Sequence, residues 1–116
     1  MEFFLVWDRR AKEVYNTLKR KADASVRARE KSKHKKATRS EGLFKQVSKC
    51  LQLLQQNPRH SGLQTHEFSS IPNPYQKDQK VFEAYAQQNT PAAYRVFWCY
   101  GPQKGEITII AISQHP

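Results

Sequence analysis

The stretch from Tyr94 to Ser113, YRVFWCYGPQKGEITIIAIS, constrains the fold more than any other part of the chain. Aromatic and β-branched side chains fit a pleated, half-buried surface, and the GPQKG between the two apolar runs supplies turn chemistry. The pattern predicts an antiparallel hairpin, Tyr94–Tyr100 with Glu106–Ser113. The second strand is apolar on both faces, which predicts an interior place in a sheet. Two residues sit oddly in this apolar setting: Arg95 opens the first strand and His115 follows the second. With a turn centred near Gln103, Arg95 pairs near residues 110–111, and His115 falls four residues further on, about 13 Å at ~3.3 Å per residue. Two such groups can flank a phosphate but cannot bond one another. Singly, a strand arginine is more often a surface residue and a late histidine a solvated one; their shared end of the hairpin makes them a candidate pair.

The rest of the chain supplies one more strand before the helices and two after them. EFFLVW (Glu2–Trp7) is a short apolar run that suits a buried strand. Asp8 can cap a helix on which Ala11, Val14, Tyr15, Leu18, Ala22 and Val26 recur at helical spacing. Beyond Val26 the pattern fades into RAREKSKHKKA, read as a solvated helix end or an arm. TRSE (Thr38–Glu41) has the form of a capping box, and the helix it opens stops at Asn57-Pro58. QTHEFSS (64–70) reads as a weak strand near an edge, IPNPYQKDQ (71–79) as a loop, and KVFEAYAQ (80–87) as a strand. The expected order is β-α-α-β-β-β-β: an α+β domain spanning residues 1–116, with a helix hairpin packed on a mostly antiparallel sheet.

The charge narrows the partners. The chain of 116 residues carries a formal net charge of +10, and ten basic side chains against Asp23 and Glu30 fall between Lys19 and Arg39. That excess suits a polyanion: nucleic acid, an acidic protein or an anionic membrane. The first apolar run is too short for a secretory h-region or a membrane span, so a cytoplasmic protein with no membrane partner is expected. Cys50 and Cys99 lie in apolar patterns and are expected as buried free thiols. His60, His66 and His115 lack the local spacing that fixes metal ligands, and no metal or other cofactor is expected.

AYRVFWCYG followed by GEITIIAISQHP, with NPRHSGLQTHEF (57–68) upstream, resembles the C-terminal half of the RelE/ParE superfamily of bacterial toxins, and the strand and two-helix start match its order. The resemblance implies a toxin-antitoxin toxin of the RelE-like mRNA interferase branch: a metal-independent endoribonuclease that cuts mRNA in the ribosomal A site. In that chemistry a ribose 2′-OH attacks the adjacent phosphate. The resemblance makes Arg95 the phosphate-stabilising arginine and His115 the acid or base. It leaves the third role among Glu83, His66 and Glu67, because the strand lysines of RelE are missing here apart from Lys80. Candidate RNA contacts are Lys31, Lys33, Lys35, Lys36 and Arg39 in the basic segment 19–39, with Tyr85 and His60; Tyr75 is a further candidate for base stacking. The implied partners are mRNA, the ribosome and an antitoxin with an acidic segment. Two other readings remain open at this point: a ParE-like inhibitor of DNA gyrase, and a non-catalytic nucleic-acid- or protein-binding module.

Overall fold

The structure is a computed structural model that describes residues 2–32 and 36–114. The elements are strand β1 (Phe4–Trp7), helix α1 (Arg9–Lys31), helix α2 (Arg39–Gln56), a 3₁₀ turn (Ser61–Leu63), and strands β2 (His66–Glu67), β3 (Phe82–Tyr85), β4 (Tyr94–Tyr100) and β5 (Glu106–Gln114). The five strands form one sheet in the order β1-β5-β4-β3-β2. All pairs are antiparallel except β1 with β5, which run parallel; the helix hairpin carries the chain from β1 at one edge of the sheet to β2 at the other. The expected order and layering hold. β1 departs from expectation: as an outer strand it is only partly covered, and Phe4 is 69% exposed.

Both helices start where the sequence places caps. The Asp8 carboxylate accepts from Arg10 N at 2.9 Å. Thr38 and Glu41 form the reciprocal capping box of α2. α1 runs to Lys31, so the stretch from Val26 to Lys31 is the helix end of the two expected readings, and a polar cluster secures it: Arg29 Nη2 lies 2.6 Å from Glu41 Oε1, and Ser25 donates to Glu41 Oε2 at 2.9 Å. The Arg29 hydrogen bond, helped by Ser25 and the Thr38 backbone, holds the Glu41 carboxyl down at about 2 against the opposing effect of desolvation. The same partner raises the Arg29 guanidinium.

Ala11, Leu18, Val47, Cys50, Leu51 and Leu54 of the helices meet Ala84, Val96, Trp98, Ile107, Ile109 and Ile112 of the sheet in a continuous core. Burial pushes the Cys50 thiol up to about 12 and the Cys99 thiol to about 11; both cysteines are free and buried, as expected. The second face of the sheet is covered as well. Phe68 packs on Phe97 at 4.8 Å. The loop before β3 is organised by Asn73, whose Oδ1 accepts from Tyr75 N and Gln76 N, and Tyr75 Oη bonds Thr108 Oγ1 at 2.8 Å. The Tyr75 hydroxyl is thereby a tie between loop and sheet.

The hairpin register differs from the expected one in a way that matters for the site. Arg95 pairs with Ser113, not with 110–111. The turn centres between Gln103 and Lys104, and a bulge opposite Phe97/Trp98 leaves Ile110 as an extra residue in β5. The turn also needs its glycines: Gly101 (φ 105°) and Gly105 (φ 84°) hold conformations that other residues adopt at a steric cost.

Candidate active site

Three neighbouring strands bring four of the predicted residues together. Successive strand residues alternate faces, so Glu83 and Tyr85 project from β3 away from the helices. Register then sets His66 opposite Glu83 and Arg95 opposite Tyr85. The result is a cluster of His66, Glu83, Tyr85 and Arg95 on the sheet face that the helices leave free.

Its first half is an acid–imidazole pair. His66 Nε2 lies 2.7 Å from Glu83 Oε1; the Glu83 side chain is wholly buried and that of His66 is 48% exposed. The other ring nitrogen, Nδ1, sits 3.3 Å from the carbonyl oxygen of Gln64. Gln64 adopts a left-handed conformation (φ 48°), which turns the chain from the 3₁₀ segment into β2. A buried carboxylate on one nitrogen of an exposed ring fixes the ring's orientation and leaves the far nitrogen with only a long, easily exchanged contact. Glu67, on the opposite face, pairs with Lys80 at 2.7 Å and takes no part in the cluster.

Its second half is a clamped guanidinium. The Arg95 Cζ lies 3.7 Å from the centroid of the Tyr85 ring, and Nη1 donates to Gln87 O at 3.2 Å. Tyr85 also meets the His66 ring edge-on at 5.6 Å, so it joins the two halves. Arg95 is 9% exposed, yet among the described residues no carboxylate pairs with it and its buried Nε has no acceptor. An arginine has five N–H donors. A buried cation is stable when paired with an anion, and this one has only a ring and a carbonyl.

The remaining predicted residues lie elsewhere. His115, Lys33 and Lys35 fall outside the described residues. Lys31, Lys36 and Arg39 are exposed at the open end of the helix hairpin. Tyr85, expected as a base-stacking ring, carries the Arg95 guanidinium on one of its faces. His60 is exposed and its Nδ1 accepts from Gly62 N at 2.9 Å, which makes it the cap of the 3₁₀ turn. Two contributors were missed. Gln87 anchors Arg95 through its carbonyl, and its side-chain oxygen accepts from Tyr94 N at 3.1 Å. Gln64 places His66 by turning the chain through a left-handed conformation. Both act through the backbone, which leaves no mark in the residue type. Among the described residues no group of three or more His, Cys, Asp or Glu converges as a metal-binding cluster, and no helix is long and apolar enough to cross a membrane.

Two helices against a five-stranded mixed sheet, with the first strand paired parallel to the last, define a specific class of fold. Solved structures share it over the whole chain. The YoeB/ParE toxin from Agrobacterium tumefaciens superposes with a TM-score of 0.59 at 9% identity, covering 100% of both chains. The YoeB dimer from Staphylococcus aureus gives 0.57 at 10% identity, again with 100% of both chains covered. The chain therefore shares the fold of these two toxin structures. No protein-family model and no curated protein matches its sequence.

Proposed function

We propose that this chain is the toxin of a toxin-antitoxin pair and acts as a metal-independent endoribonuclease on mRNA, at the ribosomal A site. The observation that carries the reading is Arg95: a guanidinium nine-tenths buried, clamped by Tyr85 and Gln87, with no carboxylate partner among the described residues and an acid–imidazole pair beside it. A scissile phosphate supplies the missing anion.

The chemistry divides among the residues. The ribose 2′-oxygen attacks the adjacent phosphorus and its proton passes to His66 Nδ1. Glu83, too buried to touch substrate, is a positioning residue: it holds Nε2–H and stabilises the imidazolium that forms. Arg95 offers its unused N–H donors to the phosphorane oxygens, where charge develops. The P–O5′ bond breaks, and the departing oxygen takes a proton from His115, leaving a 2′,3′-cyclic phosphate and a free 5′-OH. The exposed cations Lys31, Lys36 and Arg39 hold RNA backbone, and a net charge of +10 suits an antitoxin with an acidic segment.

The test is expression in bacteria with RNA and DNA read separately. Growth arrest with cut mRNA and a translation block, lost in Arg95→Ala and in His115→Ala while both variants stay folded, supports the assignment. DNA damage with intact mRNA transfers the protein to gyrase inhibition.

A further inference from the structure

The turn end of the β4–β5 hairpin carries a second surface that the cleavage chemistry leaves unused. Two open cavities of about 400 and 470 Å³ lie side by side there and share a wall made by Pro58, Arg59 and Tyr100. Tyr100 is 44% exposed, unusual for so large a ring, and neighbouring rings fix it: Trp98 stands edge-to-face at 5.0 Å and Phe82 at 5.9 Å. Trp98 and Phe82 line the first cavity, and the buried indole N–H of Trp98 has no acceptor among the described residues. Arg59 and Lys104 are exposed, and neither makes an ion pair among the described residues. Glu106, at the margin of the second cavity, is engaged by Gln103 N–H at 2.9 Å.

The combination selects its occupant. An apolar side chain would fill a cavity but leave both cations without a counter-charge. An acidic peptide would meet the cations but leave the aromatic walls wet. A nucleotide brings a flat π-face and a phosphate on one unit, which is how single strands are held without sequence preference. We infer that the double cavity takes two consecutive nucleotides of single-stranded RNA, with Arg59 on the phosphate between them and Tyr100 against a base. The inference rests on RNA being the partner. It adds a site five residues along β4 from Arg95, roughly 17 Å at ~3.3 Å per residue, so the strand is gripped at a point remote from the cut.

The probe is a 2′-O-methylated dinucleotide, which cannot be cleaved by 2′-OH attack, titrated into the full-length protein with backbone amide shifts read by NMR. The expected result is saturable shifts at Tyr100, Gly101 and Lys104. Arg59→Ala, at an exposed position, and Tyr100→Ala should each weaken the binding reported by these amides about tenfold. The inference is overturned if these amides do not move, if Arg59→Ala binds like wild type, or if a polyglutamate peptide binds there more tightly than the dinucleotide. RNA cleavage by the same wild-type sample is scored in parallel. Binding here without cleavage would sink the nuclease reading and keep this site; cleavage without binding here would do the reverse.

Discussion

Replacing His66 by alanine probes both the stability and the chemistry of the cluster. Glu83 is wholly buried, and the imidazole nitrogen 2.7 Å from its Oε1 is a close partner that helps a carboxylate stay there. Removing one member of a buried pair costs about 3–5 kcal/mol. His66 is half exposed, so water enters the space it leaves and lowers the figure to about 2–4 kcal/mol. For a chain of this size that is a fall in Tm of roughly 8–16 °C. Glu83→Gln removes the charge but keeps the shape, so the double variant His66→Ala/Glu83→Gln should recover most of the loss. A coupling energy of about 1–3 kcal/mol should emerge from the cycle. Urea unfolding of the four proteins measures this. The activity readout is separate: His66→Ala should lose about 10²- to 10⁴-fold in cleavage rate, and Glu83→Gln should lose less and still cut. A His66→Ala protein as stable as wild type, with no coupling to Glu83→Gln, would refute the pairing argument.

Further outcomes follow from other parts of the molecule. The Glu41 carboxyl, held near 2 chiefly by Arg29 against an ordinary value of 4.5, contributes stability that is present above about pH 4.5 and lost as pH falls toward 2; Glu41→Gln should flatten that part of the acid-unfolding curve followed by circular dichroism. Cys50 and Cys99, buried and pushed up to about 12 and 11, should stay unreactive to a thiol reagent at pH 8 until the protein is unfolded in denaturant, when both should titrate. Changing Lys31, Lys36 and Arg39 together to glutamine should lower the dependence of RNA affinity on salt by about two to three units of slope, with the cleavage positions unchanged.

Much of this was legible in the sequence because it is written in side-chain periodicity. The alternation of YRVFWCY defines β4 to the residue, and TRSE marks the start of α2 through a capping box that is present in full. The parity of β3 puts Glu83 opposite to Phe82 and Ala84, and that alone sends it to the Arg95 face. What failed to show is what depends on partners distant in sequence. EFFLVW has the composition of a buried strand, yet the sheet order leaves it outermost, and nothing within the six residues encodes that order. The extension of α1 to Lys31 rests on Arg29 reaching Glu41 across the hairpin, which no window along the helix reveals. The bulge at Ile110 sits in an unbroken aliphatic run, so counting back from the turn misplaced the partner of Arg95. The pairing of Arg95 with Tyr85 follows only once that register is known.

The central claim is that Arg95 grips a phosphate that is being cleaved. It is tested most directly by incubating the purified protein with mRNA in EDTA, with and without ribosomes, and mapping the 5′ ends of the products for wild type, Arg95→Lys and His115→Ala. The account predicts discrete cuts bearing 5′-hydroxyl ends in wild type, absent in His115→Ala, and reduced about 10²- to 10³-fold in Arg95→Lys, because a point charge cannot replace the forked donors. Intact mRNA under both conditions, or cuts by Arg95→Lys at the wild-type rate, would contradict it.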